Sequence, residues 1–282
     1  MLALAVTDLH KSYGSAEALR GVSFEIEAGE VFGLLGPNGA GKTTTVEILE
    51  GYRRRDGGDV SVLGIDPERA GSEWRERIGV VLQSSAMYEN LTVREHVALF
   101  AGYFQAPRSV EEVVELVGLR EKGDARVKTL SGGQRRRLDL ALGLIGDPEI
   151  LFLDEPTTGF DPAARRAAWS IIRSLRELGK TVLLTTHYLD EAEQLSDRVA
   201  VLREGSIVAL GKPADLTGRN VAAEIRYQRD GHEVVVETQE PTRVLHELTG
   251  QALADGVELE GLQVRRPTLE EIYLELTGDE TE

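Results

Sequence analysis

Gly36, Pro37, Asn38, Gly39, Ala40, Gly41, Lys42, Thr43 and Thr44 are consecutive, and together they match the phosphate-cradling pattern G-x-x-x-x-G-K-[ST]. A phosphate chain has to be wrapped by backbone N–H groups, and only small residues let the backbone come close enough. Lys42 can reach terminal phosphates, and the Thr43 hydroxyl can ligate Mg²⁺. A helix starting at this point aims its N-terminus at the anion. Further along, Ile150-Leu151-Phe152-Leu153 runs straight into Asp154-Glu155. In phosphate-loop enzymes an Asp at such a strand end holds Mg²⁺, and an adjacent Glu can polarise an attacking water.

Three polar groups stand at similar places. Gln83 follows the apolar run Ile78-Gly79-Val80-Val81-Leu82, and His187 follows Thr181-Val182-Leu183-Leu184-Thr185-Thr186. The carboxyl ends of buried strands are where α/β sheets bind ligands. Gln83 could therefore serve a metal or water, and His187 a γ-phosphate, although a lone His is usually structural. The third is Leu130-Ser131-Gly132-Gly133-Gln134, which reads either as a second anion-binding helix start or as a capped helix with a flexible lead-in. Tyr13, placed in a loop, could stack on a base or be an ordinary half-buried Tyr.

The elements that must position these groups follow from periodicity. Residues 31–35 read as a buried strand and 44–49 as a helix, so the glycine loop lies between them. Alternation within residues 1–30 suggests strands. Gly57-Gly58 reads as a turn and 60–63 as a strand. Residues 91–104 and 109–119 read as helices. Leu138, Leu142 and Ile145 recur at helical spacing after the N-cap Ser131. Asp161-Pro162 opens a helix whose core face is Ala168, Ile171, Ile172 and Leu175, and which Gly179 ends. Strands at 198–202 and 206–210 meet at Gly205-Ser206.

Composition narrows the class. The 282 residues suffice for one large and one small domain, with 41% hydrophobic and 28% charged residues. No apolar run approaches the ~18–20 residues that cross a bilayer, and the N-terminus lacks the basic start of a signal peptide. With no cysteine, disulfides and thiolate metal sites are excluded. A net charge of −16 argues against nucleic acid as a partner. The clusters Arg53-Arg54-Arg55 and Arg135-Arg136-Arg137 read as solvated turn or helix faces.

Taken together, residues 1–218 resemble the ATP-binding cassette of an ABC transporter. Gly36–Thr44 matches the Walker A loop, Leu130–Gln134 the family signature, and Asp154-Glu155 the end of Walker B. Gln83 matches the Q-loop, His187 the switch histidine and Tyr13 the adenine-stacking aromatic. Gly159-Phe160-Asp161 falls at the D-loop, with Phe160 in place of the usual leucine. The resemblance implies an α/β P-loop NTPase cassette, with a mixed sheet core and a helical signature subdomain. It also implies an ATPase with ATP and Mg²⁺ as cofactors, in which two cassettes, a probable homodimer, enclose each nucleotide. Lys42 would bind β- and γ-phosphates, Thr43 and Gln83 would ligate Mg²⁺, and Asp154 would hold it through water. Glu155 would be the general base, His187 would fix the γ-phosphate, and Ser131, Gly132, Gly133 and Gln134 would serve the partner's nucleotide. A separate multi-span permease would dock near Ser84–Thr92, and the protein would sit peripherally on the cytoplasmic face of a bacterial plasma membrane.

From about 219 the pattern changes to a small α+β appendage, residues 219–282. Val221, Ala223, Ile225 and Tyr227 alternate, as do Val234 and Val236, around a hairpin turn at Asp230-Gly231. A helix over 241–254, a strand near 257–264 and a last helix opened by the capping box Thr268-x-x-Glu271 complete it. The ending Arg266–Gly278 resembles cassettes of the ABC-2 group, which includes daunorubicin-type drug exporters. This implies drug or lipid efflux. The appendage itself is either regulatory or structural. Two other readings carry less support. A soluble ABC ATPase of translation or repair would have two cassettes or a coiled-coil insertion, and a P-loop kinase would lack Leu130–Gln134.

Overall fold

The computed structural model describes residues 1–82, 87–218, 222–229 and 232–265. They form two units, Met1–Leu210 and Gly211–Glu282.

In chain order the first unit runs β1 (Leu2–Tyr13), β2 (Ala16–Glu27), β3 (Val31–Leu35), α1 (Lys42–Leu49), β4 (Gly57–Val62), α2 (Ser72–Glu76), β5 (Ile78–Val81), α3 (Val93–Ala101), α4 (Val110–Leu116), α5 (Gly132–Leu144), β6 (Ile150–Asp154), α6 (Pro162–Glu177), β7 (Thr181–Thr186), α7 (Leu189–Leu195), β8 (Arg198–Arg203) and β9 (Ser206–Gly211). A six-stranded sheet has the order β5-β6-β7-β3-β8-β9. Pairing is parallel from β5 through β6, β7 and β3 to β8. Strands β3, β6 and β7 are buried along their whole length, as parallel strands covered on both faces must be. On one face Leu151, Leu153, Val182 and Leu184 pack with Val97, Val114, Leu138 and Ile172 from the helices. On the other, Phe32, Leu34, Phe152 and Leu183 pack with Val46 of α1 and Leu4, Phe24 and Val60 of a separate antiparallel sheet, whose order is β2-β1-β4.

Because β6, β7 and β3 are parallel neighbours, their carboxyl ends share one edge. That edge receives Asp154-Glu155, His187 and the glycine loop. Sequence periodicity marks these strand ends, and the pairing of the strands brings them together. The α/β class with a glycine loop between strand and helix, the core face of α6 and its Asp161 cap hold. Asp161 Oδ1 accepts from the N–H groups of Ala163 and Ala164, and Pro162 is the first helical residue.

Several expectations change. Gly57-Gly58 is not a turn but the start of β4. Gly58 has φ +84°, and a Cβ there would lie 2.2 Å from the Asp8 carbonyl, itself at a residue with φ +51°. The register of β1 with β4 shifts between Thr7 and His10, so the glycine serves a bulge rather than a turn. Tyr13 ends a strand instead of sitting in a loop. The β8–β9 turn lies one residue earlier, at Glu204-Gly205, where both residues have positive φ. The helices over 91–104 and 109–119 are shorter, at Val93–Ala101 and Val110–Leu116. Thr92 caps α3 through a capping box with Glu95.

The second unit contains α8 (Pro213–Gly218), β10 (Ala223–Arg229), β11 (His232–Thr238), α9 (Pro241–Asp255) and β12 (Glu260–Arg265). Its antiparallel sheet has the order β11-β10-β12. Ile225 pairs with Val236 and Tyr227 with Val234, as the alternation requires. Strand β12 begins at Glu260 rather than near 257. The Asp230-Gly231 turn and the Thr268-x-x-Glu271 box lie outside the described residues. Among the described residues no helix is long and apolar enough to cross a membrane.

Candidate functional site

The glycine loop leaves β3 at Gly36. A Cβ on Gly36 would come 2.3 Å from the Leu202 carbonyl, and one on Gly41, which has φ +107°, would come 2.7 Å from the Ala18 carbonyl. Both positions therefore demand glycine, by close approach in one case and by conformation as well in the other. Helix α1 starts at Lys42, whose side chain turns back over the loop. Its ammonium donates to the carbonyls of Gly36 (2.7 Å) and Pro37 (3.2 Å) and pairs with Glu155 at 3.4 Å. Lys42 is 5% exposed. Burial lowers its pKa, and Glu155 and Asp154 oppose that shift.

Asp154 closes β6. Thr43 Oγ1 donates to its Oδ2 at 3.3 Å, and Thr185 Oγ1 to its Oδ1 at 2.5 Å. Thr185 also accepts from the Glu155 N–H at 3.0 Å. Glu155 has φ +46°, a left-handed conformation that costs a non-glycine residue roughly 1–2 kcal/mol. Its carboxylate lies 3.4 Å from Lys42 and 3.3 Å from His187 Nδ1, and it accepts from Thr158 Oγ1 at 3.1 Å. Burial works against its charge. Lys42, then Thr158 and His187, outweigh burial and hold the carboxyl below its ordinary pKa. It is thus a carboxylate at neutral pH, the form that can accept a proton. At the end of α1, burial, then Asp154 and Glu47, push the Glu50 carboxyl up to about 8.

Lys42, Thr43, Asp154, Glu155 and His187 are therefore brought into one bonded group. An alcohol and a carboxylate in contact are the hard oxygen donors that Mg²⁺ takes, usually through one or two carboxylates plus substrate phosphates. No cluster of three or more His, Cys, Asp or Glu suited to a metal occurs among the described residues. Gln83 lies outside the described residues.

The other predicted binding groups stand apart from this one. Ser131 caps α5 through a capping box in which its hydroxyl accepts from the Gln134 N–H (3.3 Å) and Gln134 Oε1 accepts from the Ser131 N–H (2.9 Å). The concave surface before it is lined by Ser131–Gln134 together with Thr158–Asp161, and by no residue of the glycine loop. Tyr13 is 42% exposed, with Lys11 and Arg53 at 5.7 and 5.1 Å from its ring centroid.

The profile of the family described as ABC transporter matches residues 19–158. The Nod factor export ATP-binding protein I of Rhizobium meliloti (strain 1021) is 41% identical over 99% of this chain and 89% of its own length. This chain belongs to the ABC transporter ATP-binding family. It is an ATPase of the kind that hydrolyses ATP to power transport. The Daunorubicin resistance ATP-binding protein DrrA3 of Streptomyces coeruleorubidus is 40% identical over 99% of the chain and 96% of that protein. A second profile, described as ABC transporter domain-containing protein-like, C-terminal domain, matches residues 213–268. Among solved structures, cbiO1 of Clostridium perfringens, part of the ABC transporter complex cbiONQ, superposes with a TM-score of 0.70 at 30% identity, over 76% of this chain and 90% of that one. A dimeric ATP-binding cassette in a post-hydrolysis state, bound to ADP and Pi, gives 0.67 at 26% identity, over 74% and 98%.

Sequence reasoning missed several contributors to the cassette's edge. Thr185 and Thr158 hold the two carboxylates, yet they read as ordinary strand and loop threonines. Arg136 is not on a solvated face: it is 7% exposed. Its donors meet the carbonyls of Leu82, Asp154 (2.9 Å), Glu155 (3.4 Å) and Pro156 (3.1 Å). Helical spacing carried a signal, because Arg136 falls four residues before Leu140 and seven before Gly143, both buried. Arg135 does lie at the surface, paired with Glu89 at 3.2 Å.

Proposed function

We propose that this chain is the ATP-hydrolysing subunit of a bacterial exporter, acting on a separate multi-span permease from the cytoplasmic face of the membrane. Relatives named for Nod factor export and daunorubicin resistance support a drug or lipid cargo. Two copies would close head to tail, each ATP lying between one copy's Gly36–Thr44 loop and the other's Ser131–Gln134. The observation that carries this reading is the signature surface bordered by Thr158–Asp161 and by no residue of its own glycine loop. A relative solved as a dimer with ADP and Pi points the same way.

The roles follow the bonds on hand. Lys42 would exchange its bonds to Glu155 for bonds to β- and γ-phosphate oxygens, which frees the carboxylate to take a proton from the attacking water. Thr43, Gln83 and Asp154 would hold Mg²⁺, which when bound supplies charge neutralisation at the phosphates. Asp154 stays oriented by Thr185. His187, held against Glu155, would move its bond to the γ-phosphate. Tyr13 would stack on the adenine, with Lys11 and Arg53 at its ring. The permease would dock by Ser84–Thr92. Residues 1–218 would form the cassette domain and 219–282 an accessory domain that stabilises or regulates the pair.

Reconstitution tests this reading. Purified chain co-expressed with a candidate multi-span partner should co-purify with it in detergent and release free phosphate faster in its presence. Co-purification with ribosomes instead, or phosphate transfer to an acceptor, would contradict the assignment.

A further inference from the structure

The signature helix α5 carries a buried cation that the ATPase reading leaves unused. Arg136 is the fifth residue of α5, one turn behind the Ser131 cap. Three of its carbonyl partners, those of Asp154, Glu155 and Pro156, are consecutive, and the fourth, Leu82, immediately precedes Gln83. On α5 itself it also pairs with the buried Asp139, at 3.8 Å. Carbonyls just past a strand end have no ladder partner and must be satisfied some other way once buried. A planar guanidinium with five donors can gather several of them; a lysine ammonium, with three donors on a single nitrogen, cannot match that spread. The segment it gathers includes Glu155, in its left-handed conformation, whose carboxylate depends on that backbone to reach both Lys42 and His187.

We propose that Arg136 is a positioning residue for the Glu155 of its own chain, so that α5 faces a partner's nucleotide with its first residues and braces its own catalytic segment with Arg136. The cross-chain arm of this proposal rests on the two-copy reading above, whereas the arm within one chain does not. A movement of α5 as the partner's nucleotide arrives would then be felt directly at the Glu155 backbone.

The full chain with Arg136→Lys, and with Arg136→Gln should the first variant not fold, tests the point by steady-state phosphate release and by binding of a fluorescent ATP analogue. The expected result is a kcat lower by about 100-fold, the size that misplacement by about 1 Å produces. KM and analogue affinity should stay within about threefold, as for a group that acts on the reaction and not on ground-state binding. Mixing then separates the chains. Arg136→Lys protein, with Glu155 intact, is combined with Glu155→Gln protein, in which Arg136 is intact. Action within one chain predicts no recovery of turnover, because no copy has both residues. Recovery on mixing would mean that Arg136 acts only by shaping the signature for the other copy, and would overturn the proposal. So would an unchanged kcat, or loss of analogue binding in step with turnover. Failure of Glu155→Gln to associate in ATP would count against the two-copy reading alone, and the kcat-against-KM split would still decide the role of Arg136.

Discussion

At the sheet edge, Lys42 and Asp154 are buried, and Lys42, Asp154, Glu155 and His187 are linked to one another through short contacts. At the start of α5, Ser131 and Gly132 are exposed and the cap bonds run within the helix's own first turn. On the proposed reading both regions would meet phosphate, but the first already gathers a cation, a carboxylate and an imidazole, while the second presents Ser131–Gln134 at a helix N-terminus, on a surface that Arg135, Arg136 and Arg137 also line. On the proposed pairing, the reacting groups would belong to one chain and the second region would close over the other copy's nucleotide. A closing surface has to be exposed, whereas reacting groups have to be oriented before substrate arrives.

The largest expected effect comes from the reaction centre. Glu155→Gln should lower phosphate release by about 100-fold or more, the usual contribution of a positioned base, while ATP still binds. Wild-type turnover in that variant would remove Glu155 from the mechanism. Lys42→Ala should weaken nucleotide binding by about 10- to 100-fold, the loss of a charge-assisted bond of roughly 1.5–3 kcal/mol, and titration with a fluorescent nucleotide reads this directly. The second region should behave oppositely. A Cβ on Gly132 meets nothing within 4 Å, so Gly132→Asp should fold normally and bind ATP as a single chain. It should weaken ATP-driven association by about tenfold or more, since like charges placed against each other at an interface cost several kcal/mol. If Gly132→Asp instead reduced ATP binding by the isolated chain, the two regions would not be separate.

A smaller effect lies in neither region and serves as a control. His96 is fully buried between Tyr88 and Phe100, with neither ring nitrogen bonded, and burial lowers its pKa. The folded state therefore refuses a proton that the unfolded chain accepts below its ordinary value of about 6.5. Stability should fall as pH drops through that value, because the unfolded state then binds more protons. His96→Phe should flatten this acid-side loss in thermal melts from pH 7.5 to 5.5, and leave turnover at neutral pH unchanged. An unaltered pH profile would show that the ring is solvated.

Much of the candidate site was legible because its residues sit where strand patterns end. Four apolar residues followed by Asp154-Glu155, and six β-formers followed by His187, identify their own positions in a parallel sheet. Thr185 was hidden for the opposite reason: its hydroxyl, buried within a strand, looks like any β-branched residue until the neighbouring strand brings Asp154 alongside. Arg136 was misread because a run of three arginines suggests solvent, and the helical stripe that buries one of them emerges only when the phase of α5 is traced through Leu140 and Gly143. Gly57-Gly58 misled in the same way, since the bulge it serves depends on a strand fifty residues away.

The proposed function requires the sheet edge and the start of α5 to complete each other across two copies. The most direct measurement is the mass in solution of purified Glu155→Gln protein with and without Mg-ATP. A shift from one copy to two on adding Mg-ATP, absent when Gly132→Asp is added to the same protein, is the predicted result. A single copy that binds ATP at saturation and never pairs would contradict it.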